Sequence, residues 1–63
     1  MDQQTRSKLM RCLDAVEDAM IALAEYRDAP GRTTAEIIRC NQQWEKCDAL
    51  YTALTRELRR KHE

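Results

Sequence analysis

Between Ile37 and Leu58 the chain repeats every seven residues. Ile37, Trp44, Tyr51 and Leu58 occupy one position of the repeat, and Cys40, Cys47 and Leu54 follow the first three by three residues. Leu50 widens this seam on one side, while the residues between, such as Arg39, Gln42, Gln43, Glu45, Lys46 and Asp48, are polar. Such spacing predicts a helix with one apolar stripe that must lie against other helices. A second, softer stripe precedes it. Leu9, Val16 and Leu23 are seven apart, with Cys12, Leu13, Ala19, Met20 and Tyr26 beside them. Ala15, Ala19 and Ala22 leave room for a bulky Trp44 on the facing helix. Met10 and Ile21 fall off the stripe and are expected to be half-exposed.

Asp28-Ala29-Pro30-Gly31-Arg32 separates the two patterns. Pro30 forces Ala29 out of the helical region, and Gly31 permits a tight reversal. Thr33 and Glu36 have the spacing of a capping box that restarts a helix. The reading is all-α: a single domain over residues 1–63, made of an antiparallel hairpin with helices over 3–28 and 34–61. Folding about Pro30-Gly31 sets Leu23 near Ile37, Met20 near Cys40, Val16 near Trp44, Leu13 or Cys12 near Cys47, and Leu9 near Tyr51 and Leu54. Two helices leave each stripe half covered, and short chains need further support to offset ordering entropy. A homodimeric four-helix bundle is the expected solution, with Ile37, Cys40, Trp44, Cys47, Tyr51, Leu54 and Leu58 as its core and dimer seam.

Composition narrows the function by exclusion. Eleven basic and eleven acidic residues cancel, so net charge argues for neither nucleic acid nor a membrane surface as partner. No apolar run approaches the roughly 20 residues of a membrane span, so a membrane is not an expected partner. The polar start, Met1-Asp2-Gln3-Gln4-Thr5, lacks a signal-peptide core, which predicts a cytoplasmic location. Cys12, Cys40 and Cys47 form no CxxC pair. They read as small core side chains, with an oxidisable Cys12–Cys47 or inter-subunit pair as the alternative. His62 is the sole histidine, with nothing evident to orient it toward Ser7 or a cysteine. No catalytic, cofactor-binding or metal-ligating set emerges, and no enzyme is expected. Clusters such as Asp14, Glu17 and Asp18 read as a solvated face.

The charges are nevertheless unevenly placed. Residues 1–12 and 52–63 carry seven basic residues, Arg6, Lys8, Arg11, Arg56, Arg59, Arg60 and Lys61, against three acidic ones, a net +4. The remaining residues hold four basic and eight acidic groups, a net −4. Cations at a helix C-terminus complement its dipole, which accounts for Arg59, Arg60 and Lys61 but not for Arg6, Lys8 and Arg11. The alternative is a partner patch of Arg6, Lys8, Arg11, Arg56, Arg59 and Arg60, facing an acidic protein or phosphates.

Length, hairpin and cysteine-containing seam resemble, in architecture, the Rop-type plasmid RNA-binding hairpin dimers, although no RNA-contacting residue of that family can be matched. Over its whole length the chain also resembles a small open reading frame of the exo–xis region of lambdoid bacteriophages. The residues that carry this resemblance are Met1-Asp2-Gln3-Gln4-Thr5-Arg6 and Trp44-Glu45-Lys46-Cys47-Asp48. It implies an early, non-enzymatic accessory protein acting on a host or phage protein, touching host cell-cycle or replication control or the choice between lytic growth and lysogeny. It brings no site pattern with it. A protein–protein interaction module is therefore the first expectation, and a Rop-like RNA- or DNA-binding hairpin the alternative.

Overall fold

Asp2 starts the first helix by accepting the Thr5 amide on its Oδ1 at 2.7 Å, which satisfies one of the donors that a helix N-terminus leaves open. This contact also holds the Asp2 carboxyl below its ordinary pKa, with the hydrogen bond from the Thr5 backbone as the leading cause. The computed structural model describes residues 2–60. Helix α1 spans Gln3–Asp28 and helix α2 spans Thr34–Arg59, packed against each other as a hairpin. The backbone extends over 51 × 15 × 10 Å.

The reversal follows from three residues. Ala29 is extended (φ −68°, ψ 142°) ahead of Pro30 and closes α1 with its amide on the Tyr26 carbonyl. Gly31 has φ +86°, a left-handed conformation that side chains rarely adopt. Thr33 then caps α2. Its Oγ1 accepts the Glu36 amide at 3.1 Å, and Glu36 Oε1 accepts the Thr33 amide at 2.9 Å. At the far end, Arg60 is extended and its amide meets the Glu57 carbonyl. The second helix ends at Arg59; the expected limit at Lys61 lies outside the described residues, as do His62 and Glu63.

All seven residues of the α2 seam turn toward α1, but only Cys40 is buried, at 5% exposure. Its thiol donates to the Leu23 carbonyl at 3.0 Å. Leu23 thus lies level with Cys40, about one turn further along α2 than its expected partner Ile37. The α1 stripe also differs from expectation. Leu9, Leu13, Val16, Met20, Leu23, Ala24 and Arg27 are half-buried, whereas Cys12, Ala19 and Tyr26 are exposed. One facing helix covers only a narrow stripe, and the seven-spaced set 12, 19 and 26 lies on its flank. Cys12 is therefore not a core thiol in this hairpin. Met10 and Ile21 are about half-exposed, as their off-stripe positions predict, and so are Ile38 and Leu50.

Coverage is correspondingly incomplete. The chain exposes 5088 Å², where a compact monomer of its mass exposes about 4,200 Å². Its radius of gyration is 14.8 Å, against about 11 Å for a globular domain of this length.

Candidate interaction surface

The hairpin presents two ends and two broad faces, each built differently. At the closed end, Tyr26 leaves the apolar stripe to serve a polar cluster. Its hydroxyl donates to Glu36 Oε2 at 2.9 Å, Arg32 Nη1 approaches the same oxygen at 3.5 Å, and the Arg32 guanidinium stacks 4.6 Å from the Tyr26 ring centre. With the Thr33 backbone as the leading cause, Glu36 is held at a pKa of about 2. These contacts tie the turn together and leave Glu36 too acidic to work as a proton-transfer group near neutrality.

At the open end the six cations of the expected patch are all exposed, yet they divide by role. Arg6 Nη1 donates to the Leu58 carbonyl at 3.2 Å, crossing from α1 to an end of α2 where carbonyls lack helical partners. Arg60 pairs with Glu57 at 3.3 Å, three residues earlier. Lys8, Arg11, Arg56 and Arg59 form no ion pair among the described residues. Lys8 and Arg11 project from α1, one turn apart. Arg56 and Arg59 line a shallow groove of about 310 Å³ along α2, together with Tyr51, Thr52 and Thr55. The periodicity of α1 already carries a signal for the Arg6 contact: Arg6 lies three residues before Leu9, on the stripe that faces α2.

One broad face holds a second groove, of about 380 Å³, between the helices. Met20, Ile21, Ala24 and Trp44 supply its apolar lining, and Glu17, Asp48 and Tyr51 its polar rim. The Tyr51 hydroxyl donates to Glu17 Oε2 at 3.3 Å across the helices. Sequence periodicity placed Trp44 and Tyr51 in the seam; both are half-buried there and also open onto this groove. The groove itself escapes a reading of stripes, because it depends on how far each helix is rolled about its axis. On the opposite face lie Cys12, Ala15, Ala19, Ala22 and Tyr26, at helical spacing on the flank where Tyr26 meets Glu36.

Among the described residues, no three His, Cys, Asp or Glu side chains gather to hold a metal, and no helix is long and apolar enough to cross a membrane. The chain matches no family model. No curated protein and no solved structure matches it either. The surfaces themselves must carry the functional reading.

Proposed function

We propose that the protein is a non-enzymatic interaction module, a homodimeric four-helix bundle whose basic open end contacts another protein. The observation that carries this reading is the seam: seven apolar or aromatic positions face α1, and a single one of them, Cys40, is buried. A half-buried Trp44, Tyr51, Leu54 and Leu58 leave apolar area that a second hairpin covers economically. In this reading Lys8 and Arg11, exposed on α1 and without an ion pair among the described residues, are the cations most available to an acidic protein surface. The whole-length resemblance to the exo–xis open reading frames supports a host or phage regulator as that partner, and with it a role in host cell-cycle or replication control or in the lytic–lysogenic choice.

A second reading, RNA or DNA binding in the Rop manner, is favoured by the groove in which Tyr51 adjoins Arg56 and Arg59. Overall neutrality opposes it. Sedimentation equilibrium from low to high micromolar concentration tests the dimer: a folded monomer throughout that range defeats the first reading. A mobility-shift titration in rising salt tests the second, which requires tight binding that weakens steeply with salt.

A further inference from the structure

The two grooves lie on one side of α2 and meet at Tyr51. One has an apolar floor with acidic rims, Glu17 and Asp48. The other is basic, with Arg56 and Arg59. Opposite charges side by side on one face are what a two-fold self-contact needs, because each half then meets its complement on the other copy.

The spacing along α2 fixes where such an axis falls. Asp48 lies four residues before Thr52, and Arg56 lies four after it. Trp44 lies eight before, and Arg59 seven after. Turning one copy by 180° about an axis that lies in the plane of this face and crosses α2 at right angles at Thr52 therefore sets Arg56 over the other copy's Asp48. The same rotation sets Arg59 near its Trp44, the partner that guanidinium groups favour most among aromatic rings. Thr52 itself, exposed and short, lets the two α2 helices approach at the crossing. The area agrees: the chain exposes roughly 900 Å² more than a compact monomer of its mass, close to the roughly 800 Å² that each subunit of a standard interface contributes.

We infer that a second copy of this chain docks antiparallel on the Trp44–Arg59 face, with α2 against α2, Arg56 paired to Asp48 and Arg59 packed over Trp44. The inference rests on the homodimer reading above and adds its face and its register. The opposite face, with Cys12, Ala15, Ala19 and Leu50, stays open in this assembly.

Charge reversal tests it. Asp48→Arg alone and Arg56→Asp alone each weaken the dimer by about tenfold or more, since each sets like charges opposite one another. An equimolar mixture of the two variants restores association as a heterodimer. The single tryptophan supplies a second readout on the unaltered chain, because its emission shifts to the blue as dimer forms and Trp44 loses water. Thr52→Cys supplies a third: two such residues at the axis oxidise to a covalent dimer, while Cys12 does not cross-link. This readout also decides the matter if a charge variant proves poorly helical by circular dichroism. A native chain that stays monomeric overturns the homodimer reading itself. A native dimer indifferent to both reversals, with unchanged Trp44 emission and no Thr52→Cys cross-link, overturns the face and leaves the dimer standing.

Discussion

The thiol of Cys40 sits 3.0 Å from the Leu23 carbonyl oxygen, so α2 presses its most buried side chain onto the backbone of α1. A larger residue has no room there without moving the helices apart. Cys40→Leu is expected to cost about 1–3 kcal/mol through overpacking. Cys40→Ser keeps the size and a donor for Leu23, and should cost less. Urea unfolding followed by circular dichroism ranks the two. A Cys40→Leu variant as stable as the native chain would show that the helices do not meet closely at this point.

Thiol labelling probes the same packing without mutation. Cys12 is exposed, Cys47 half-buried and Cys40 buried, so native-state reaction rates should fall in that order. Denaturant should bring all three to similar rates. Slow labelling of Cys12 in the native state would place it under a second hairpin, and so move the docking surface to the opposite face.

Much of this hairpin was legible in the periodicity. The start and end of α1, the start of α2 and the Thr33–Glu36 box follow from local rules that need only neighbouring residues. So does the half-exposure of Met10 and Ile21. Register was harder, because how far one helix slides along the other is set by packing between them rather than by neighbouring residues. The Cys40 thiol, rather than Ile37, is what meets Leu23. The fates of Cys12 and Tyr26 escaped for a related reason. Seven-residue spacing identifies a broad apolar arc, and one facing helix covers part of it. The division of the basic end depended on tertiary reach: periodicity sets Arg6 on the stripe facing α2 but does not show that its guanidinium reaches the Leu58 carbonyl, while Lys8 and Arg11 make no ion pair among the described residues.

Glu36 links stability to acid. Its folded-state pKa is about 2, below the ordinary value of 4.5, chiefly through the Thr33 backbone amide and then the Tyr26 hydroxyl. A depressed folded pKa means that the charged form is the one the fold favours. Its contribution is therefore present in full above about pH 4.5 and is lost as pH falls toward 2. Glu36→Gln should melt lower than the native chain at neutral pH, and the gap between the two should close across that window. Asp2, whose pKa is also lowered, adds to the acid sensitivity of both proteins equally. A gap that stays constant down to pH 2 would mean that the capping box does not depend on the Glu36 charge.

The two halves of the basic end should separate in function. Lys8 and Arg11 lie on α1, exposed and one turn apart, while Arg56 and Arg59 line the groove on α2. Replacing Lys8 and Arg11 together by Gln should leave helix content and dimerisation nearly unchanged, since surface substitutions usually stay within about 0.5 kcal/mol each. The effect of expression on host growth or on lysogeny frequency should then fall sharply. Replacing Arg56, Arg59 and Arg60 by Gln should instead weaken the dimer first, and any loss of effect should track the monomer fraction. Should the Lys8 and Arg11 double variant keep its full effect while remaining dimeric, the partner site lies away from the open end. A parallel, salt-dependent loss of RNA or DNA binding in either variant would move the Rop-like reading ahead, because phosphate contacts release counterions and protein contacts at a neutral surface do so far less.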